Sequence, residues 1–542
     1  MMLRYLKDND TILYILAVVL LIPALFANLG VLPFFVADDE ATRVLVPLEM
    51  IYSGDYTTAT VNGMYYYFKP ALFYWVIAFF FNLTGSSSAF VARVPAVMFL
   101  LLLGLSIYYF AHKHYSRRQA AIMALAFVTS GRILFWESFF CMMDIPFSLL
   151  IFTMFMSIYH FHRKEQWYAL FLVAYGLAAM AFLIKGLPAL LFLGFTLLAY
   201  FIFTRTFQKL ISLAHASGML LFLTILTGYY LNYWLQNPDI SVFTALWSES
   251  TGRYTDYGFA DAFFSTLRFP FDMWVHFLPW TLFILYVFCR GFWREVRSDR
   301  FLGFCLLVFV VNIIPYWTAP GIYPRYILML VPLIYIVFFH FYFRHHREYP
   351  VATRLLENVI LSALALLALA VMALPFWDKT AGYEHVWLKT LSVFFFMIAL
   401  IYLYGKLKSS RLILFILGLI AARLIFAWFI WPQRLPEVQP YKEDAVRVAE
   451  ITRGKELNIL GWITLHHGFS FYVAQERKEI LPLVRDLSRT QLNTYYVVDA
   501  KSLENLREKG YREQVYHTFR AMDERHPVYL VKFLQYGENK HR

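Results

Sequence analysis

The sequence is poor in charged residues and in cysteine. Asp, Glu, Lys and Arg make up only 15% of the 542 residues, whereas a soluble domain carries about 25%. The three cysteines form no CxxC pair, which excludes a disulfide framework and a cysteine-based zinc site. Hydrophobic residues reach 60%. Most of the chain is therefore expected to lie in lipid, and the predicted fold class is an all-α polytopic membrane protein.

Long apolar segments dominate the chain up to Trp431. About 13 of them, beginning with Thr11–Phe35, are long enough to cross a bilayer when some tilt is allowed. Two long stretches between these segments, Val36–Ser87 and Leu235–Pro270, are predicted to be loops on one side of the membrane. Residues 1–431 are therefore predicted to form a transmembrane domain.

The composition changes after Trp431. Three prolines predict a linker there, namely Pro432, Pro436 and Pro440. An amphipathic helix pattern, short strand patterns and a second helix pattern follow. Residues 432–542 are therefore predicted to form a small α/β domain.

The distribution of basic residues predicts the topology. A net charge of +12 would suggest nucleic acid in a soluble protein, but here Lys and Arg concentrate in every second short loop. Such loops face the cytoplasm. The N-terminus is therefore predicted to be cytoplasmic and the α/β domain extracytoplasmic. We expect membrane lipids and no nucleic acid as partners.

Ionisable residues close to the apolar segments gather on the opposite, outer side. They are Asp38, Asp39, Glu40, Arg43, Lys69, Asp144, Lys185, Glu249, Arg253 and Arg325. Charges near the hydrocarbon are costly and usually serve a function. Their shared side predicts one cavity that opens outward at the membrane surface.

The acidic residues of this set suit acid–base chemistry. The Asp38–Glu40 cluster follows the first span, where it can supply a general base, bind a metal or favour a helix N-terminus. Asp144 precedes Pro146, so it can cap a helix or pair with Asp39 as two carboxylates with separate roles. A divalent metal is compatible with these residues, but the sequence requires no cofactor and predicts no metal site.

The basic residues suit phosphate binding. Lys69 lies among aromatic residues and can hold a phosphate or snorkel to the membrane surface. Lys185-Gly186 interrupts an apolar run, where a cation suits a lipid phosphate or marks a loop. Glu249 and Arg253 are four residues apart, which also fits an ordinary helical ion pair.

The order of these motifs resembles that of a known superfamily. The motifs are Asp39-Glu40, Ser53-Gly54-Asp55, Phe68-Lys69-Pro70, Asp144 with Pro146, Lys185-Gly186, Glu249 with Arg253, and Pro324-Arg325-Tyr326. Together they resemble the GT-C lipid-linked sugar transferases, which include lipid A aminoarabinose transferases and protein O-mannosyltransferases. This chain departs from the family at Thr42, where Arg is frequent, and at Ile322, where the aminoarabinose enzymes tend to carry Lys.

The resemblance implies an inverting glycosyltransferase at the outer face of a bacterial inner membrane. The donor would be a polyprenyl-phosphate sugar and the acceptor, above all, lipid A. A protein acceptor with the same donor class stays open. The implied catalytic residues are Asp39 and Asp144. Donor phosphate binding is implied for Lys69, Lys185, Arg253, Arg325 and Arg43, and further positions in the site for Asp38, Glu40, Glu249 and Tyr323.

A lipid-linked sugar transporter is an alternative of another class. Transporters usually carry charges near the membrane midplane and internal repeats. Here the charges lie at the outer rim and no repeat is found in the sequence, which favours the enzyme.

Overall fold

The computed structural model describes residues 10–36, 38–237, 244, 259–461, 465–520, 522 and 526–536. The chain divides into two compact units. Unit 1 comprises Met1–Leu29, Ala96–Tyr230 and Phe243–Gln433, and unit 2 comprises Gly30–Pro95, Leu231–Val242 and Arg434–Arg542.

The regular secondary structure in the described part of unit 1 is helical. The α-helices that lie wholly or mainly in it are α1 (Thr11–Phe26), α4 (Ala89–Ala111), α5 (Arg117–Val128), α6 (Gly131–Phe135), α7 (Asp144–Arg163), α8 (Trp167–Lys185), α9 (Pro188–Phe203), α10 (Leu213–Gln236), α11 (Phe259–His276), α12 (Phe292–Ser298), α13 (Arg300–Thr318), α14 (Val331–His345), α15 (Pro350–Ala373), α16 (Asp378–Ala381), α17 (Val386–Lys406) and α18 (Arg411–Ile425). Unit 1 also contains short 3-10 segments at Glu137–Phe139, Trp280–Phe288 and Pro324–Ile327 and a π-helical turn at Phe426–Ile430.

The helices account for the apolar segments of the sequence. Within the described residues, eight helices are long and apolar enough to cross a membrane, or up to ten if two bent pairs each count as one span. Three further apolar helices are shorter, including α1 and α9. The prediction of a polytopic all-α membrane protein is confirmed, although several of the predicted spans are short or broken helices.

One bend has a clear local cause. Helix α5 meets the segment Gly131–Phe139 at 51°. The hydroxyls of Thr129 and Ser130 donate to the carbonyls four residues earlier, a pattern that bends helices. Gly131 donates its N–H to the Leu278 carbonyl at 2.7 Å, and a Cβ at Gly131 would lie 2.9 Å from that oxygen. A side chain at position 131 would therefore clash with the Leu278 carbonyl.

Unit 2 combines helices with two small sheets. Its helices are α2 (Asp38–Ser53), α3 (Leu72–Thr84), α19 (Leu435–Ile451), α20 (His467–Arg477) and α21 (Ala500–Glu508). Its strands are β1 (Thr60–Val61), β2 (Met64–Tyr65), β3 (Leu457–Leu460), β4 (Leu483–Val484), β5 (Tyr495–Asp499), β6 (Tyr511–Arg520) and β7 (Pro527–Tyr536). Strands β1 and β2 form an antiparallel hairpin.

The larger sheet has the strand order β4-β3-β5-β7-β6. Strand β3 runs parallel to both β4 and β5, whereas β7 runs antiparallel to β5 and β6. Its buried core consists of Leu460, Tyr496, Val498, Leu503, Leu506, Val531 and Phe533. The predicted mixture of strands and helices after residue 432 is therefore present.

Two regions that were predicted to be irregular contain helices. Val36–Ser87, predicted as a loop, contains α2 and α3. The proline-rich linker is a 3-10 turn that leads into α19. Pro436 lies in the first turn of α19, where a missing backbone N–H removes no helical hydrogen bond. The three prolines therefore do not form an irregular linker, because the chain is helical at each of them.

Candidate functional site

Unit 1 contains a nearly buried cluster of one acid and two cations. The Lys185 ammonium donates to Asp144 Oδ1 at 2.5 Å, and Arg325 Nε lies 3.7 Å from Asp144 Oδ2. The exposed fractions of the side chains are 5% for Asp144, 13% for Lys185 and 10% for Arg325. With one negative and two positive groups, the cluster carries a formal charge of +1 and suits an anion.

Asp144 and Lys185 sit at the ends of α-helices, and Arg325 lies in the 3-10 segment Pro324–Ile327. Asp144 is the first residue of α7 and follows the N-cap Met143, and its carboxylate accepts from Lys185. Lys185 is the last residue of α8, and Gly186 follows with a φ of 78°. A residue with a side chain rarely adopts that φ. Gly186 thus ends the helix directly after the lysine.

Aromatic rings surround the two cations. Lys185 Nζ lies 4.3 Å from the ring centre of Tyr326 and 5.4 Å from that of Phe147. The Arg325 guanidinium lies 4.7 Å from the ring of Tyr323, which is 53% exposed. Cations over aromatic faces are stabilised where water is scarce. Three predicted site residues, Asp144, Lys185 and Arg325, therefore meet, with Tyr323 beside them.

A second ion pair of unit 1 was not predicted. Arg132 Nε donates to Glu137 Oε1 at 2.7 Å, and the Glu137 side chain is only 1% exposed. Both residues belong to the bent segment that follows α5. The single signal in the sequence was a pair of opposite charges, five residues apart, just before Asp144. This signal is weak because side chains five residues apart do not face each other on a helix, unlike those three or four apart.

Unit 2 contains Asp39 on the first turns of α2. Its side chain is half exposed, and Arg43 Nη2 lies 3.9 Å away, one helical turn further on. The Arg43 guanidinium is buried and donates to the hydroxyls of Tyr66 and Tyr74, each at 3.1 Å. Burial by itself lowers the pKa of Arg43, but attraction to Tyr74, Tyr66 and Asp39 holds that pKa well above its usual value. Arg43 therefore stays cationic beside Asp39.

Glu40 has a different position from its neighbour. Its carboxylate receives two hydrogen bonds of 2.8 Å from Arg93, and both side chains are fully buried. Arg93 also donates to the Leu32 carbonyl at 2.9 Å. These contacts occupy both Glu40 oxygens, so the geometry suits a structural anchor for α2 better than the site role that the resemblance implied.

A further buried acid shapes the hairpin of unit 2. Glu49 accepts hydrogen bonds from the Thr60 hydroxyl and from the backbone N–H groups of Asn62 and Gly63, at 2.6, 2.6 and 3.2 Å. Burial raises the pKa of Glu49, and these three donors partly offset the rise. Glu49 thereby fixes the turn between β1 and β2.

The remaining predicted residues are placed as follows. Lys69 is half-buried on the loop between β2 and α3. Asp38 is the first residue of α2. Glu249 and Arg253 lie outside the described residues. In the part of the chain that the structure describes, no three His, Cys, Asp or Glu side chains are grouped as metal ligands.

The two groups suit different chemical tasks. The cluster of Asp144, Lys185 and Arg325 can bind a phosphate and neutralise charge that develops on it. Asp39, half exposed and next to a fixed cation, can orient a hydroxyl or accept its proton.

Arg93, the basic partner of Glu40, was not predicted from the sequence. It lies inside an apolar helix, 53 residues from Glu40.

Comparison with known proteins agrees with this architecture. A family model described as dolichyl-phosphate-mannose-protein mannosyltransferase matches residues 68–230. An uncharacterized protein of Aquifex aeolicus (strain VF5) is 22% identical over 432 residues, which cover 78% of this chain and 79% of that protein.

Solved structures extend the similarity to nearly the whole chain. ArnT from Cupriavidus metallidurans bound to undecaprenyl phosphate matches with a TM-score of 0.69 and 17% identity, over 95% of this chain and 97% of that chain. The apo state of ArnT matches over the same shares with a TM-score of 0.64. The resemblance seen in the sequence is confirmed at the level of the fold, which is the GT-C fold of a multi-pass membrane protein.

Proposed function

We propose, from the GT-C fold that this chain shares with ArnT, that it is an inverting glycosyltransferase. It moves a sugar from a polyprenyl-phosphate donor to an acceptor at the outer face of a bacterial inner membrane. Lipid A is the foremost acceptor. The observation that carries the proposal is the buried cluster of Asp144, Lys185 and Arg325, whose net positive charge fits a lipid phosphate.

The reaction is a single displacement at the anomeric carbon. An acceptor oxygen forms the new bond to that carbon while the bond to the donor phosphate oxygen breaks, and the phosphate leaves with the electron pair. Attack from the face opposite the leaving group inverts the anomeric centre. Lys185 and Arg325 stabilise the charge that develops on the leaving phosphate, and Lys69 is proposed to add a further cation.

Asp39 acts on the acceptor in this mechanism. If the acceptor is a hydroxyl, Asp39 accepts its proton as the bond forms. If the acceptor is a phosphate monoester of lipid A, the nucleophile is already ionised and Asp39 positions it. Arg43 Nη2 lies 3.9 Å from the Asp39 carboxylate and helps to hold it in place. Asp144 holds the two phosphate-binding cations in place.

Two observations support a lipid-linked donor. The ArnT structure that this chain matches contains undecaprenyl phosphate. Both cations of the cluster also have aromatic neighbours, Tyr326 for Lys185 and Tyr323 for Arg325. This setting suits the phosphate of a lipid whose tail runs along the spans.

A protein acceptor is the second candidate function. The matched family model covers residues 68–230 and describes protein mannosyltransferases that use dolichyl-phosphate-mannose. That stretch includes Lys69 and Lys185, which bind the donor phosphate in our proposal, and Asp144, which holds Lys185 in place. It therefore supports the donor class and leaves both acceptors open.

The experiment is transfer by the purified full-length protein. The protein is reconstituted with bacterial membrane lipid extract that contains polyprenyl-phosphate sugars, and lipid A and proteins are analysed by mass spectrometry. We expect a mass increase of one sugar on lipid A, absent with Asp39→Asn and present with Asp261→Asn, a matched change at an exposed aspartate of α11. Modified protein with unmodified lipid A would favour the second candidate, and no transfer to either would contradict both.

A further inference from the structure

Unit 2 contains a cavity of about 370 Å³ that has no part in the donor-binding and catalytic roles proposed for this chain. Its lining includes Tyr65, Tyr66 and Phe68 from the hairpin region, and His467 and Arg485 from the α/β part. Binding pockets for small molecules and cofactors occupy about 300–1,000 Å³, with mostly apolar walls and a few placed polar groups. Both the size and the lining of this cavity fit that description.

The cavity lies at the carboxyl ends of two parallel strands. Gly461 follows β3 directly and Arg485 follows β4 directly, and both line the cavity. Strands β3 and β4 are parallel neighbours. Open α/β sheets bind their ligands at this edge because the loops that follow parallel strands converge there. His467, the first residue of α20, adds the positive end of a helix dipole.

The opposite wall is held in a fixed conformation. Glu49 fastens the turn of the β1–β2 hairpin through three hydrogen bonds. The Asn62 carbonyl then accepts a hydrogen bond of 3.0 Å from the backbone N–H of Leu483 on β4. The hairpin is thus attached to α2 through Glu49 and to the sheet through Asn62, and the cavity beside it is preorganised for a ligand.

Two contacts connect the cavity to the helix that carries Asp39. The ring of His467 lies 2.7 Å from the Thr42 hydroxyl through Nδ1. The hydroxyl of Tyr66 accepts from Arg43, which is the cation beside Asp39. Two residues of the lining therefore contact consecutive residues of α2, one turn after the proposed catalytic acid.

The lining indicates the chemistry of the ligand. Tyr65 and Phe68 line the cavity and are 55% and 48% exposed, so part of each side chain is accessible to a ligand. The apolar C–H faces of a sugar ring carry partial positive charge and pack on the negative face of an aromatic ring. Arg485 also lines the cavity, and an arginine guanidinium can form paired hydrogen bonds with phosphate or carboxylate oxygens. This combination suits a saccharide that carries an anionic group.

We propose that this cavity binds the anionic saccharide part of the acceptor, with sugar rings on Tyr65 and Phe68 and a phosphate or carboxylate on Arg485. The inference rests on the proposed glycosyl transfer, for which it names the acceptor subsite. It assigns Arg485 a role in selecting acceptors by charge, separate from the donor-binding residues of unit 1.

The test measures binding by the full-length protein in detergent. The probe is a glucosamine disaccharide with two phosphates and no acyl chains, and the comparison ligand is the same disaccharide without phosphates. Arg485→Gln should weaken binding of the bisphosphate by about ten- to a hundredfold and leave the neutral disaccharide unaffected. Tyr65→Leu should weaken binding of both ligands by about fivefold. Arg489→Gln, a change at an arginine with an 80% exposed side chain outside the lining, should alter neither.

The outcomes separate this inference from the proposed function. Unchanged bisphosphate binding in Arg485→Gln, or an equal loss in Arg489→Gln, would overturn the subsite even if the protein transfers sugar. The expected binding pattern in a protein that transfers no sugar would support the subsite and contradict the proposed reaction. Loss of discrimination between the two disaccharides in Arg485→Gln, together with a raised acceptor KM in the transfer assay, is the result that supports both.

Discussion

Arg93 and Glu40 form a bidentate ion pair from which water is excluded. Both side chains have no exposed surface, and the two N–O distances are 2.8 Å. The pair joins the start of α4 to the first turn of α2, the helix that carries Asp39 and Arg43. We infer that this buried ion pair helps to orient Asp39, the proposed catalytic acid. The pair itself is fully buried and therefore does not contact a substrate.

Removing one partner of this pair should destabilise the protein. Glu40→Ala leaves the Arg93 charge buried and unpaired, which costs about 3–5 kcal/mol. Thermal unfolding in detergent should show a clearly lowered Tm. The double variant Glu40→Met/Arg93→Met should recover most of the loss, because no unpaired charge remains. Glu443→Ala on the exposed side of α19 is the control. A double variant as unstable as Glu40→Ala would contradict this explanation.

Asp39→Asn should abolish transfer with little change in stability. The side chain is half exposed, so the fold depends little on it, whereas proton transfer or positioning acts in the transition state and appears in kcat. We expect kcat to fall by at least about a hundredfold, with affinity for undecaprenyl phosphate retained. Steady-state kinetics and lipid binding on the same preparation measure both quantities. Wild-type turnover in Asp39→Asn would remove the assignment.

Lys185 and Arg325 should bind the donor phosphate together. Each single change, Lys185→Ala or Arg325→Gln, should weaken affinity for undecaprenyl phosphate by about ten- to a hundredfold. The two losses should be non-additive because both cations contact Asp144. Asp144→Asn should lower activity as well, since it releases both cations.

Lys406→Ala is the matched control for these changes. Lys406 also ends a membrane helix and lies 5.9 Å from the ring of Tyr402. Its replacement should leave lipid affinity unchanged. Strictly additive losses at Lys185 and Arg325, or an equal loss at Lys406, would argue against a shared phosphate site in unit 1.

Lys69→Ala distinguishes phosphate binding from membrane anchoring. If Lys69 contacts the donor, its loss weakens undecaprenyl phosphate affinity by about tenfold. If it only snorkels to the membrane surface, the change lowers thermal stability and leaves affinity alone. Lys442→Ala, at another lysine near an aromatic ring of unit 2, is the control. We expect the first result.

Reporter fusions test the predicted topology. Fusions at Ser116, Arg297 and Ser409 should report a cytoplasmic location, because these positions lie in loops rich in Lys and Arg. A fusion after Arg542 should report the outside of the membrane. A cytoplasmic C-terminus would be incompatible with a reaction at the outer face.

The site was only partly predictable from the sequence. Asp144, Lys185 and Arg325 were recognisable because charges next to long apolar runs are rare and costly. Arg93 and Glu137 were missed for different reasons. The partner of Arg93 lies 53 residues away in sequence, and the pairing of Glu137 with Arg132 depends on the bend after α5. Neither ion pair can be predicted from the spacing of residues along the chain.

The sequence by itself determined the fold class of the protein and singled out the ionisable residues that are candidates for its chemistry. Hydrophobic length and the scarcity of charge require membrane helices, since unsatisfied backbone groups are too costly in lipid. Only the tertiary structure decided how the charged residues pair. Two adjacent acids, Asp39 and Glu40, look equivalent in the sequence, yet one is half exposed and the other is buried against Arg93. Burial and partner geometry arise from packing between distant segments, and these set whether a carboxylate can react.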